Sequence, residues 1–534
     1  MKKFHRWVSM LVVSMVGVSC FAGCSAPATS NIKYDLTETD DKINYTFFSP
    51  GFDNLAENDS VVSYVENKFN VEITFDGGAS GDWERALSGL VSSNKAPDLF
   101  FALPNSSTMS EYTKKTLTDF DYYLDNAGSK LANLKSMLNA KPFGDNIKIN
   151  GKFYFVPRSV GTSNRAILVR KDWMQQYNQS LGKTGDAIND TPNTLTEFTN
   201  MLKYFNQQSL GGGKTYGMAI GIDNFDFYKD FMSTFGVTPD FYLDDSNNYQ
   251  YSAISHSNYE NFISWFKNGV GTYIDETIKD GQTAADATQA FIENKVGAII
   301  CNSVGILDGL LGDLEKLGKD IDDVAVLIAP PNSDDGKYQG KFFNFNFYWG
   351  GFVISKNVKE PMRLLKILDF IVSEEGQKLL TYGIKDVHYT ETDGVIIPII
   401  AARRAELKSW GGNGRNGESD QVSGRHVLGS QFYPCPFKVV NGEMVENYPK
   451  YVSVFEKYFD KCRELASENN ISSALKRLIP NTDISRYNAE ILDAIETYTI
   501  NRIMGDSKED ALAALNIKLG KKNTVLDYIN KNLK

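Results

Sequence analysis

The sequence predicts an α/β protein: two successive regions of alternating strand and helix, followed by a helical C-terminal part. Three observations predict it. In residues 43–102 apolar strand patterns alternate with helix patterns, the order that builds parallel sheets joined by right-handed crossovers. A second alternation begins near Arg165 and runs to Pro330-Pro331. Near the end, Phe455, Tyr458, Phe459 and Cys462 make an apolar stripe at helical spacing.

The elements follow in order. Ile43-Asn44-Tyr45-Thr46-Phe47-Phe48 reads as a strand stopped by Ser49-Pro50-Gly51. Val62, Val65 and Phe69 mark a helix, residues 71–75 a second strand, and 77–81 a glycine-rich turn. A helix over 83–92 and a strand over 98–102 complete the first region. Ligands of open parallel sheets lie beyond the strands' carboxyl ends, so the loops after Phe48, Phe75 and Ala102 are expected to share one rim. The second region opens with strand 166–169 and Asp172 as N-cap of helix 173–179. Helix 195–205, strand 215–220, helix 259–267, strand 296–300 and strand 324–329 follow. Leu364, Ile367, Leu368 and Ile371 predict one helix over 361–382.

Composition excludes several classes. The chain has 534 residues, more than one ordinary core takes up, with 42% hydrophobic residues. With 56 basic against 66 acidic residues the formal charge is −10, the wrong sign for a nucleic-acid binder. Four His and five Cys make neither a metal-rich site nor a disulfide framework, and no cofactor motif stands out. The spacing of Cys301, Cys435 and Cys462 matches no metal pattern, so buried thiols are the expectation. The positive hint is aromatic content, 12%, because aromatic faces bind apolar and sugar ligands.

The N-terminus reads as an address. A basic head, Met1 to Arg6, precedes an apolar run over 7–21. As a helix this run would rise only about 22 Å, short of a bilayer core of about 30 Å, which favours a cleaved export signal. Phe21-Ala22-Gly23-Cys24-Ser25 resembles a bacterial lipoprotein box, although the usual Leu three residues before the Cys is Phe21 here. That resemblance implies removal of residues 1–23, lipid on the Cys24 thiol (diacylglycerol, then palmitate-type acyl chains) and a flexible tether over 24–42. The mature chain then carries 53 basic and 66 acidic residues, a charge of −13.

Further strings resemble extracellular solute-binding proteins of ABC transporters, family 1, carbohydrate type. They are Trp83-Glu84-Arg85-Ala86-Leu87 with Ala96-Pro97-Asp98-Leu99-Phe100, then Gly151-Lys152-Phe153-Tyr154-Phe155-Val156-Pro157. Arg170-Lys171-Asp172-Trp173-Met174 with Thr191-Pro192, Thr194 and Glu197-Phe198 is the most specific block, and is similar to the long lipoprotein subgroup. Phe291 to Ile300, Pro330-Pro331, Glu375-Gly376-Gln377 and Ile503-Met504-Gly505 continue the series in order.

The resemblance implies a two-lobed type II periplasmic-binding-protein fold with a hinge and a helical C-terminal region. One lobe is expected from 43–157 plus 326–382, the other from 158–325 plus 383–534. It also implies a monomer outside the cell membrane that carries a carbohydrate to ABC permease subunits, with no enzymatic step. Two rivals stay open: an exported glycan-acting enzyme, which needs two facing carboxylates, and a peptide-binding lipoprotein of the same fold.

Candidate ligand residues carry alternatives. Trp83 is a rim platform or a helix-start packing residue. Asn105 follows the strand ending at Ala102, and Asn302 follows 296–301. Arg158, at the lobe crossing, donates to a ligand or makes an interlobe ion pair. In Asn344-Phe345-Asn346-Phe347-Tyr348-Trp349, alternation puts Asn346 and Tyr348 opposite the phenylalanines, and Asn346, Tyr348 or Trp349 is expected in the cleft. Trp410, before Gly411-Gly412, is expected as a late-loop platform with Arg425 nearby.

Overall fold

The structure, a computed structural model, describes residues 34–533 except 79–81, 104–111, 113–116, 160–164, 221–224, 275–283, 302–309, 311–313, 315–316, 345–347, 411–424, 433–436, 448–449, 452–460, 463, 467, 476–478, 480 and 506. The basic head, the apolar run and Cys24 lie outside the described residues. Among the described residues no helix is long and apolar enough to cross a membrane.

Two sheets carry the fold, with a short strand pair beside the second. Their strands are β1 (Ile43–Phe48), β2 (Val71–Asp76), β3 (Leu99–Ala102), β4 (Phe155–Ser159), β5 (Ala166–Arg170), β6 (Tyr216–Ala219), β7 (Val296–Cys301), β8 (Ala325–Ile328), β9 (Phe342–Asn344), β10 (Tyr348–Ile354) and β11 (Asn470–Ser472). The helices that matter to the site are α1 (Ser60–Phe69), α2 (Trp83–Ser92), α3 (Ala132–Asn139), α4 (Pro361–Val372), α5 (Val427–Phe432) and α6 (Thr482–Met504).

The first sheet runs β2-β1-β3-β10-β4. β1 pairs parallel with β2 and β3, while β10 lies antiparallel between β3 and β4. Hence Phe48, Asp76, Ala102 and Ser159 end at one edge, where β10 begins at Tyr348. Gly350 and Gly351 let β10 fit there: a Cβ on either would fall within 2.8 Å of a neighbouring strand's carbonyl oxygen, Ala102 or Val156. Phe52, Phe75, Phe101, Phe352 and Phe432 join ring to ring beneath this sheet, with Phe352 and Phe432 stacked at 4.3 Å. Much of the aromatic surplus is therefore core.

The second sheet runs β8-β5-β7-β6. The sequence predicts parallel strands, but β5 is antiparallel to both neighbours and only β6 and β7 are parallel. The reason is topological: β5 is the first strand of this sheet after β4, and β7 ends opposite its first residue, so the two run in opposite directions. A single apolar cluster holds this lobe, including Trp173, Phe205, Phe231, Phe262 and, from the C-terminal part, Cys462, Ile491, Ile495 and Val525. The expected buried thiol at Cys462 is seen, while the side chains of Cys301 and Cys435 lie outside the described residues.

Five expectations are corrected. Asp172 is not the N-cap, because the helix begins at Lys171; its carboxylate instead meets the Arg170 guanidinium at 3.2 Å. The helix expected over 361–382 breaks at Ser373, whose hydroxyl caps a new helix, Glu374–Tyr382, by accepting the Gly376 amide. The return to the first lobe comes later than residue 326. β8 pairs with β5, the Pro331 carbonyl accepts the Thr234 hydroxyl, and Phe342 lies in the second core, so residues 325–342 pack with the second sheet, while β10 from Tyr348 onward pairs in the first.

The described residues of 389–410, 425–432 and 437–446, expected in the second lobe, make contacts with the first. His426 bonds to Asp59, Ser409 to the Ala56 amide, and the Phe437 amide to Gln377. A local pattern cannot show this, because each partner is far away in sequence. The tether expected over 24–42 also shortens, since residues 35–42 are bonded to the first lobe.

Candidate functional site

At the common edge of the first sheet, three side chains meet. Trp83 opens α2 and is half-buried, its ring centroid 5.6 Å from that of Phe101. On β4, the half-buried Arg158 has its guanidinium carbon 5.7 Å from the same ring. Its Nη2 donates to the Ser430 carbonyl at 2.6 Å, which ties β4 to α5. The buried Phe101 thus carries an indole and a guanidinium, both reached by solvent. Gly78, at φ +63°, packs closely against Trp83, since a Cβ there would lie 3.3 Å from the Trp83 Cα. Such a pair can stack on an apolar ligand face and donate to its hydroxyls.

The second lobe contributes acids. Glu84, beside Trp83, and Asp493 of α6 interact: burial and then the Asp493 charge push the Glu84 carboxyl up. Burial, Glu496 and Glu490 push Asp493 up in turn. Two buried basic groups of this lobe are engaged by acids: Lys229 pairs with Glu496 at 3.4 Å, and Arg165, just before β5, with the buried Asp230.

Not every expected residue belongs here. Tyr348 is only 9% exposed and packs its ring on Phe143 and Phe155, so it is core in the first lobe. Trp410 is 0% exposed. The Arg403 guanidinium lies 4.2 Å from its ring, and the imidazoles of His388 and His426 lie 5.2 and 5.0 Å away. A stacking platform needs an open face, and Trp410 has none. Arg425 is half-buried next to His426. Asn105, Asn302, Asn346 and the Trp349 side chain lie outside the described residues.

Sequence reasoning missed the group around Trp410. Asp59, Glu406 and His426 bring one ligand atom each within 4.8 Å of one another, the spacing of a metal site. The donors are already committed, however. His426 Nδ1 accepts the Leu428 amide, so the proton sits on Nε2, which donates to Asp59 at 2.7 Å. A metal on Nε2 would force a proton onto Nδ1, facing that N–H. The chemistry suits a hydrogen-bonded pair better than a metal.

Ser60, His388 and Glu406 have the residue types of a hydrolytic triad, but both Ser60 and Glu406 face His388 Nε2, and Nδ1 accepts the Ile384 amide. A triad needs serine and acid on opposite ring nitrogens.

This group predicts acid sensitivity. Burial, opposed by Glu406 and Asp59 but reinforced by His426 and Arg403, holds the His388 pKa below its usual value. The unfolded chain then takes up a proton near pH 6.5 that the folded chain refuses. The stability from His388 is complete above that pH and lost as pH falls below it. Burial opposes ionisation of Asp59, but His426, Ser409 and the Val62 amide together hold its carboxyl below the ordinary range. Its contribution disappears only at still lower pH. Urea melts at stepped pH should show the midpoint falling between pH 7 and 5, with His388→Gln flattening that slope; a wild-type midpoint constant over the range would refute this.

The sequence profile described as bacterial extracellular solute-binding protein matches residues 60–385. The chain belongs to that family. Membership places this solute-binding protein outside the cytoplasm. The polygalacturonan/rhamnogalacturonan-binding protein YtcQ of Bacillus subtilis is 23% identical over 428 residues, covering 76% of this chain and 78% of the relative. Among solved structures, the alginate-binding protein AlgQ2 superposes with a TM-score of 0.65 at 15% identity, covering 92% of this chain and 98% of its own. The N-glycan transport solute-binding protein NgtS of Streptococcus pneumoniae gives 0.55 at 16%, with 92% and 98% covered. These likenesses establish the two-lobed solute-binding fold.

Proposed function

We propose that this solute-binding protein captures an oligosaccharide between its lobes and delivers it to an ABC permease, without turnover. The observation that carries the reading is the shared edge of Phe101, where Trp83 offers a face and Arg158 offers donors. The edge faces the chain crossings, so a ligand held there touches both lobes and shifts an open–closed equilibrium by its differential contacts. The glycan-binding relatives support the ligand class. We assign residues 35–159 and 348–451 to the first lobe, and 166–343 with 461–533 to the second.

Beyond burial, the Asp493 charge raises the cost of ionising Glu84 at this edge, and Glu496 and Glu490 do the same for Asp493, an acidic surround that favours a neutral glycan over a polyuronate. A thermal-shift panel of neutral oligosaccharides, oligogalacturonates and peptides tests the reading, because a bound ligand stabilises by mass action. Neutral oligosaccharides should raise the melting temperature and be recovered intact. A shift with peptides alone, or cleaved glycans, would overturn it.

The chain is anchored through Cys24, on the strength of the Phe21-Ala22-Gly23-Cys24 string. Cells fed a labelled fatty acid should label the wild type and leave Cys24→Ala unlabelled and released from membranes. Equal labelling of both would reject the anchor.

A further inference from the structure

Residues 35–42 are fastened to the first lobe at several points. The Glu38 carboxylate accepts from Lys366 at 2.8 Å and from Lys130 at 3.4 Å. Thr39 donates its hydroxyl to Glu360 at 2.5 Å and its amide to the same oxygen at 3.3 Å. Arg363, 4% exposed, donates to the carbonyls of Asp41 at 2.6 Å, Asn70 at 3.2 Å and Thr39. The Asp40 carbonyl accepts the Asn70 side chain, and the Asp35 amide reaches the Tyr123 hydroxyl at 3.4 Å.

The receiving end is built for this. Glu360 precedes α4 in a left-handed conformation, φ 47°, which a residue with a side chain adopts only when held. It is held by an ion pair to Arg363 at 2.7 Å and by the Tyr45 hydroxyl on its carbonyl at 3.0 Å. All these partners stand on first-lobe elements: α4, the turn before α3, α1 and its following strand, and Tyr123. Every bond of residues 35–42 named above goes to the first lobe.

We propose that residues 35–42 are a strap that makes the first lobe the held lobe: any load on the chain ahead of Asp35 is borne by α4 and the 128–131 turn. On a bilayer, the α3–α4 side then stands nearest the membrane. The proposal rests on the anchored reading above. It leaves a leash of ten residues, at most about 35 Å, where a free tether to residue 42 would have eighteen and about 60 Å.

The test holds residues 25–534, the mature chain without its Cys24, by an N-terminal hexahistidine on nickel-chelating vesicles that contain an acceptor-labelled lipid. A donor dye is coupled to an azide-bearing residue at position 135, on α3, or at position 517, 79% exposed in the second lobe. Transfer from 135 should exceed that from 517 by at least about twofold, given the shorter leash. In Glu38→Ala/Thr39→Val, which changes one half-buried and one exposed strap side chain outside the core, that difference should shrink by half or more while the melting temperature of the body stays put. Equal transfer from both positions in the wild type, or an unchanged difference in the double variant, overturns the strap. Attachment here bypasses Cys24, so a failed lipid label would reject the anchor and leave this result standing.

Discussion

Trp410→Ala should unfold the first lobe far more readily without touching the ligand site. The ring is wholly buried and one of the largest side chains in the core, so its loss opens a cavity that the surrounding polar groups cannot fill. Core Phe or Trp to Ala changes cost about 3–5 kcal/mol. Here the Arg403 guanidinium loses the ring it lies on at 4.2 Å, and two imidazoles lose an aromatic neighbour. The damage should spread along α5, since His426 leads into it. Denaturant titration should show the loss, with Trp410→Phe losing less. Glycan affinity of the protein that remains folded should stay within about threefold, under 1 kcal/mol. A Trp410→Ala protein of normal stability but tenfold weaker binding would return this residue to the cleft.

Trp83→Ala is the complementary case. Its indole is half-exposed, with one side against Phe101 and the rest open at the sheet edge. Removing it leaves little cavity, because solvent already reaches the side chain. The effect should therefore fall on binding. Covering an indole face with a sugar ring contributes on the order of 2 kcal/mol from buried area and stacking. Calorimetry should find an affinity about thirtyfold weaker, with the melting temperature of the ligand-free protein nearly unchanged. Unaltered affinity would remove Trp83 from the site and make it a helix-start packing residue.

Much of the architecture was legible in the chain. Strands 43–48, 71–75 and 98–102 and the helices between them follow from local periodicity and turn residues, which act over a few positions. Trp83 was legible too, because a tryptophan opening a helix after a glycine-rich turn sits at a carboxyl edge. What stayed hidden depends on distant partners. Nothing near Trp410 announces burial; its loop looks like a surface, and only Arg403, His388 and His426 folded against it close its faces. Asp59 reads as an ordinary N-cap, which it is, since Val62 donates to it at 2.8 Å. Its second bond goes to a residue 367 positions away. The strap looks flexible in sequence for the same reason: polar residues 35–41 look solvated until Glu360, Arg363 and Lys366 are placed beside them.

The position of β10 has a temporal consequence. It lies between β3 and β4, yet in the chain it follows the whole second sheet. Until residue 354 has emerged, β4 has no neighbour to pair with and β3 has a bare flank. An exported chain threads out from its N-terminus, so the first lobe begins first and finishes after the second sheet is already available. Contacts of such long sequence separation form slowly. During export, the exposed flank of β3, Leu99-Phe100-Phe101-Ala102, is the segment most in need of shielding from other chains.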